Sequence, residues 1–199
     1  MLEQRIQQQF IDSADLKYQW AQTLAHPVAE AAQALLACVT GGGKVLACGN
    51  GASGALAQYV AALMVGGLER ARPELPALAL GTDAATLTAV ARRGEYADTF
   101  AAQVRALGAA GDVLLLLSSN GNAVNLVRAA QAAHERDMVI IALTGHGGGE
   151  LGRMLRDTDV HVCVAHESTP RIYEAHQLVL HSLCDSLDQQ LLGEEESLA

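Results

Sequence analysis

Val113-Leu114-Leu115-Leu116-Leu117-Ser118-Ser119-Asn120-Gly121-Asn122 decides the fold. Five apolar residues in a row do not alternate, so this is not a strand with one wet face. The run is also short for a helix. It predicts a strand covered on both sides, as in a parallel sheet between two helical layers. The small polar residues after it form a turn, and Val124 to His134 reads as a helix. The same unit recurs on both sides. Upstream, Lys44 to Cys48 is a strand, Gly49 to Gly54 a Gly/Ser loop, and an Ala-rich helix runs to about Val65. Leu75 to Leu80 is a second strand, and Asp83 to Leu107 is helical with a break near Gly94. Downstream come strands at Val139 to Leu143 and Val160 to Val164, then a long terminal helix from Pro170 to about Leu192. Strand–helix alternation of this kind predicts an α/β domain with right-handed crossovers and helices on both faces of a parallel sheet.

The first 40 residues stand outside that alternation. Leu2, Ile6 and Phe10, then Leu16, Trp20 and Leu24, recur every four residues, and Gln4, Gln7, Gln8, Asp15 and Gln22 fill the other side. Pro27 is expected to start a second helix, which Gly41-Gly42-Gly43 ends. The chain thus divides into an N-terminal helical pair (1–40), an α/β core (41–192) and an acidic tail (193–199). The stripe Leu2, Ile6, Phe10 and the terminal-helix residues Leu183, Leu187 and Leu191 offer more apolar surface than one such domain is expected to cover.

Composition narrows the function. The chain has 199 residues, half of them hydrophobic and 18% charged, which suits one folded domain rather than a disordered chain. No apolar stretch approaches the roughly 20 residues of a membrane span. The N-terminus has an early acid and no apolar run, unlike a secretory signal. Cys38, Cys48, Cys163 and Cys184 are scattered in apolar settings, as expected of buried thiols in a cytoplasmic protein. The formal charge is −9, with 22 acids against 13 bases, so direct contact with nucleic acid is not expected. An acidic surface suits a small-molecule enzyme or a protein that docks on a basic partner.

Chemistry is expected at the carboxyl ends of the strands. Gly49-Asn50-Gly51-Ala52-Ser53-Gly54, Ser118 to Asn122, and Thr144 to Gly149 each precede a helix and offer backbone N–H groups to an anion. Tight turns need Gly and helix caps need Ser or Asn in any case, so both readings stay open. The first loop matches GxGxxG, but the acid that a dinucleotide site needs about 20 residues later is missing, since Asp83 comes too late. Ser53 and the matching second loop fit a monophosphate better.

Cys48-Gly49-Asn50-Gly51-Ala52-Ser53 resembles the CGNGGS loop of sugar isomerase (SIS) domains of the phosphoheptose isomerase type. So do Arg72-Pro73-x-x-Pro76-Ala77, Leu80-x-Thr82-Asp83, Gly111 to Leu115, Leu143-Thr144-Gly145 and Arg171-Ile172-x-Glu174-x-His176. The resemblance implies a three-layer αβα sandwich with a five-stranded parallel sheet. It also implies a homotetramer with the N-terminal and C-terminal helices in the interface, and a phosphosugar cleft. Asn50, Gly51, Ser53, Ser118, Ser119, Asn120 and Asp83 are the candidate binding residues. One branch of the family isomerises sedoheptulose 7-phosphate. The other resembles DiaA, a non-catalytic tetramer that binds the replication initiator DnaA. In the isomerases, a His and a Glu four residues apart and a Gln and a His eight apart carry the chemistry.

Here Tyr59, Leu63 and Tyr173 stand at the first three of those positions, and His181 alone matches. Leu63 has no proton to exchange, and one imidazole without a carboxylate is not a metal site. Asn120 and Ala123 also stand where the isomerases have Ser. The expectation is therefore a non-catalytic, cytoplasmic DiaA-type homotetramer with no cofactor or metal. It would bind DnaA and a sugar phosphate, with His181 a relic and Leu191-Leu192 part of the DnaA contact. The competing expectation is an active phosphoheptose isomerase. His176 reads as structural, Glu174 as an ion-pair or capping residue rather than a replacement for the missing carboxylate, and His146, His161 and His166 lack metal-like spacing.

Overall fold

The computed structural model describes residues 1–193. In chain order the elements are α1 (Leu2–Thr40), β1 (Val45–Gly49), α2 (Ala52–Gly66), β2 (Ala77–Ala79), α3 (Ala84–Arg93), α4 (Thr99–Leu107), β3 (Val113–Leu117), α5 (Val124–Glu135), β4 (Val139–Gly145), α6 (Gly149–Met154), β5 (Val160–Val164) and α7 (Thr169–Leu192). A single turn of 3-10 helix, Tyr96–Asp98, joins α3 to α4. The five described strands are all parallel, in the order β2-β1-β3-β4-β5.

The apolar run of β3 does what its composition demands. Val113, Leu115 and Leu117 pack into the layer made by α1, α2 and α7. Leu114 and Leu116 pack on the opposite face, against α4 and α5. β1 and β4 divide in the same way: Val45, Ala47, Ile141 and Leu143 face the first layer, and Leu46, Cys48, Ile140 and Ala142 the second. The expected three-layer sandwich is therefore the observed one.

Two local expectations are corrected. The N-terminal pair is one 39-residue helix, with Pro27 inside it. Pro27 removes a single helical N–H, the one that would reach the carbonyl of Thr23, and Thr23 lies on the exposed side. Leu24 and Val28 flank the proline and pack on the core, and Ala31, Leu35 and Cys38 are buried beyond it, so tertiary contacts carry the helix through. β2 is three residues long rather than six. Pro76 has no N–H for a sheet ladder, although its carbonyl accepts from Val45 N–H (2.9 Å).

The apolar surplus is also smaller than expected. Leu183 and Leu187 are buried within their own chain. Leu2, Ile6, Phe10, Leu191 and Leu192 are exposed. The three glutamates of the acidic tail lie outside the described residues.

α7 meets the sheet through His176. Its side chain is fully buried, its Nε2 donates to the carbonyl of Thr144 on β4 (3.0 Å), and its Nδ1 has no partner. Burial pushes its pKa down from 6.5 to about 4, against the opposing effect of the Thr144 bond. In the unfolded chain the ring takes up its proton near pH 6.5, but in the fold only near pH 4. Above pH 6.5 the group has no effect on stability. As pH falls from 6.5 towards 4 the unfolded state gains the proton first, and stability drops by about 2 kcal/mol at pH 5 and about 3 kcal/mol below pH 4. Urea unfolding at pH 7.5 and pH 5 should show this loss, and His176→Gln, which keeps the donor and removes the titration, should reduce it to under half.

Candidate functional site

The strand order reverses between β1 and β3, because the crossover through α2 lies on one face of the sheet and α5 lies on the other. Ligands of such sheets bind at this reversal, beyond the carboxyl ends of the strands. A cavity of about 210 Å³ sits there, lined by Asn50 and Ser53 after β1, by Leu117, Ser118, Ser119 and Asn120 at the end of β3, by Ala123 and Leu126, and by Tyr173 of α7. The helices that start beside it, α2 and α5, have no side-chain cap. Their first-turn N–H groups and positive dipole ends suit an anion.

The loops around the cavity are braced against each other. Asn50 and Asn125 exchange two amide hydrogen bonds (2.8 and 2.9 Å), tying the first loop to α5. The Oγ of Ser118 accepts from Gly121 N–H (3.0 Å), and the Oδ1 of Asn120 accepts from Asn122 N–H (3.1 Å). Gly121 has φ +69°, and a Cβ there would collide with the carbonyl oxygen of Gly148. The loop after β3 and the loop after β4 are therefore in direct backbone contact.

Among the sequence-derived candidates, Asn50, Ser53, Ser118, Ser119 and Asn120 converge on the cavity. Asn50 also serves as a brace, since one amide N–H and the amide oxygen bond Asn125. Gly51, with φ +55°, makes the turn into α2 and does not line the cavity. Asp83 does not line the cavity. It is exposed and caps α3, accepting from Ala85 N–H (2.9 Å), Thr86 N–H (3.2 Å) and the Thr86 hydroxyl (2.5 Å). Those bonds, the Thr86 hydroxyl first, hold its carboxyl below the usual carboxylate range. Glu174 is the ion-pair residue expected, bound to Arg171 (2.6 Å) and to the Ser13 hydroxyl (2.6 Å).

Further along the two helices that reach the cavity, α2 and α7, the structure shows a pairing that sequence reasoning missed. Tyr59 on α2 and His181 on α7 are hydrogen-bonded, Oη to Nε2 at 2.8 Å, with their rings edge-on at 5.6 Å between centroids. Tyr59 lies six residues beyond Ser53, and His181 eight beyond Tyr173, about 9 and 12 Å along their helices. Leu63 is half-buried one turn after Tyr59. Tyr59, Leu63, Tyr173 and His181 supply one imidazole and no carboxylate, and no group of three His, Cys, Asp or Glu side chains among the described residues could hold a metal ion. A divalent metal does not fit this donor set.

Residues 9–145 match the SIS domain family model. The chain belongs to the SIS domain family. It is 56% identical to a phosphoheptose isomerase of Methylibium petroleiphilum over 98% of both chains. It is 47% identical to that of Neisseria gonorrhoeae over 96% of this chain and 97% of the relative. The solved N. gonorrhoeae enzyme GmhA superposes with a TM-score of 0.89 at 46% identity, covering 95% of this chain and all of the other. A phosphoheptose isomerase from Francisella tularensis gives 0.90 at 40% identity, covering 95% and 99%. These relatives overturn the expectation of a non-catalytic, DnaA-binding protein and favour the isomerase reading set beside it. The missing family side chains had carried that expectation; the Tyr59–His181 bond that takes their place joins residues 122 positions apart.

The paired amides give a direct test of the brace. Asn125→Ala leaves the Asn50 amide without its partner and should lower stability by about 1–3 kcal/mol. It should also weaken the binding of inorganic phosphate, followed by NMR titration, whereas Asp83→Ala should leave phosphate binding unchanged.

Proposed function

We propose that this SIS-domain chain is an aldose–ketose isomerase of phosphorylated sugars, acting on sedoheptulose 7-phosphate as its relatives' name implies. The observation that carries the reading is the proton-transfer pair Tyr59–His181 on α2 and α7, the two helices that bring Ser53 and Tyr173 to the anion cradle. The phosphate would lie against Ser53, Ser118, Ser119 and the open starts of α2 and α5. A sugar with its phosphate and carbonyl at opposite ends then points its carbonyl along α2 and α7, towards Tyr59 and His181.

Isomerisation moves one proton between adjacent carbons and another between their oxygens. In the tautomer with the proton on Nε2, His181 donates to the Tyr59 oxygen and keeps Nδ1 as a base for the carbon-bound proton. The Tyr59 hydroxyl is then free to donate to the sugar oxygen on which charge develops. The proton taken by Nδ1 returns to the neighbouring carbon, and the Tyr59 oxygen, having given its proton to the first sugar oxygen, takes one from the neighbouring hydroxyl as that becomes the carbonyl, so both side chains end as they began. Leu63 supplies no group to this chemistry, and no step passes through a metal.

The same reading includes self-association. Leu2, Ile6 and Phe10 form an apolar stripe on α1 that the chain itself leaves in water, Phe10 at 74% exposure. A homotetramer would cover it, and light scattering that gives a 21 kDa species at micromolar concentration would refute that part.

The assay is conversion of sedoheptulose 7-phosphate by the purified full chain. Turnover is expected, to survive EDTA, and to fall about 10²–10⁴-fold in His181→Ala. Tyr59→Phe should lower it by a smaller factor. Absence of turnover, or turnover unchanged in His181→Ala, would sink the reading. Turnover lost to EDTA and restored by zinc would overturn its metal-free chemistry.

A further inference from the structure

Arg72 lies in the connection between α2 and β2, outside the candidate site, yet its side chain is 1% exposed. Four of its five N–H donors are engaged. Nη2 donates to the carbonyl of Leu63 (3.0 Å), Nη1 to those of Met64 (2.8 Å) and Pro73 (3.1 Å), and Nε to Oδ1 of Asp188 on α7. Asp188 is buried to the same degree, at 3% exposure. Leu63 and Met64 belong to the last turn of α2, where a cation is favoured, and Arg72 adds to the bonds their carbonyls accept from Gly67 and Leu75 N–H. Arg72 is therefore a charged cap on α2 that is also bolted to α7.

The two helices it joins are the two that carry Tyr59 and His181. Tyr59 lies one turn before Leu63 on α2, and His181 lies two turns before Asp188 on α7, on the same face. The two ties come in the same order along both helices. We propose that Arg72 and Asp188 are positioning residues for the Tyr59–His181 pair: they fix the spacing and rotation of α2 against α7, and so hold the two rings at hydrogen-bond distance. A lone hydrogen bond between two half-buried side chains does not set the register of two helices. A planar guanidinium that satisfies three carbonyls on one side and a carboxylate on the other does, because its donors point in fixed directions. A buried ion pair is a weak source of net stability, since desolvating its charges offsets their attraction, but fixing one arrangement among several is a use it suits.

The assignment rests on the isomerase reading only where turnover is measured; the ring geometry is read without it. The experiment uses the full chain labelled with ¹⁵N-histidine. Tyr59→Phe defines the ring signals of His181 when its partner bond is lost. The double variant Arg72→Met with Asp188→Leu replaces the ion pair by apolar side chains, a change that commonly preserves folding. Its His181 signals should move most of the way to those of Tyr59→Phe. Arg128→Met, which removes the ion pairs of α5 with Glu95 and Asp98 in the opposite layer, should leave them in place. If the wild-type chain turns over the heptulose phosphate, the Arg72/Asp188 double variant should lose about 10²-fold in kcat, with KM little changed.

A folded double variant with wild-type His181 signals would overturn the proposal, whatever the turnover. If the double variant does not fold, Arg72→Lys decides. It keeps a charge beside Asp188 but not the fork, so the His181 signals should shift part of the way towards Tyr59→Phe. Unchanged signals in Arg72→Lys would refute the positioning role. Absence of turnover in the wild type would count against the isomerase reading alone, since the ring signals still report the pairing.

Discussion

The structure depends on the reversal of strand order between β1 and β3. Neighbouring strands hand their chain to opposite layers there, so the starts of α2 and α5 diverge and leave a cleft that neither layer can close. The register of that pair has to be secure, because a slip of one residue would exchange the two faces of β3. Its five apolar residues do not discriminate between the faces. The ends do. Asp112, just before β3, is buried and accepts from Lys44 N–H (2.9 Å), Ala109 N–H (2.8 Å) and Lys44 Nζ (2.6 Å), which pins the start of β1 to the start of β3. Ser118, just after β3, fastens the following turn through Gly121. Polar groups at the two ends of an apolar strand thus hold the cleft in place.

Much of this was legible in the sequence because it follows from short-range pattern. Unbroken apolar runs in β3 and β4 mark buried parallel strands, and the Gly/Ser/Asn loops after them mark the ligand end of the sheet. The serines fell where the pattern put them. What was not legible follows from contacts between distant residues. Pro27 looks like a helix start when read locally, but the core contacts of Leu24 and Val28 on either side override it. Asn50 reads only as a ligand donor, and its bracing of Asn125, 75 residues away, appears only in the packing. Asp83 sits in a motif shared with the family, yet its carboxylate is satisfied within the first turn of α3. Tyr59 and Tyr173 were visible only as departures from the family; that Tyr59 pairs with His181 needed the packing of α2 on α7.

Electrostatics shape how the cleft meets an anion. The cavity lining among the described residues contains no Lys or Arg. The chain as a whole carries a formal charge of −9, so its long-range field opposes a sugar phosphate rather than steering it in. Attraction must then be short-range, from helix N-termini and hydroxyls that act within a few ångströms. Neutral donors of this kind have to be pre-aimed, because they lack the reach of a charge. The mutual Asn50–Asn125 amides and the Gly121–Gly148 backbone contact supply that rigidity, which ties the fine packing of the loops to the strength of the site.

The tie between α2 and α7 follows a related logic. A metal centre with ligands on both helices would lock them together through its own bonds, because metal binding and folding share free energy. The donor set of Tyr59, Leu63, Tyr173 and His181 does not fit a metal, so these residues supply no such lock. The Tyr59–His181 hydrogen bond replaces part of it, but a bond of this type contributes about 0.5–1.5 kcal/mol. That is too little to hold two helices in one register against thermal motion. The permanent constraint therefore has to sit elsewhere on the same two helices, where no ligand enters. The buried Arg72–Asp188 pair, anchored to the α2 carbonyls of Leu63 and Met64, meets that requirement: it fixes the helices from outside the site and leaves the Tyr59–His181 pair free to exchange protons.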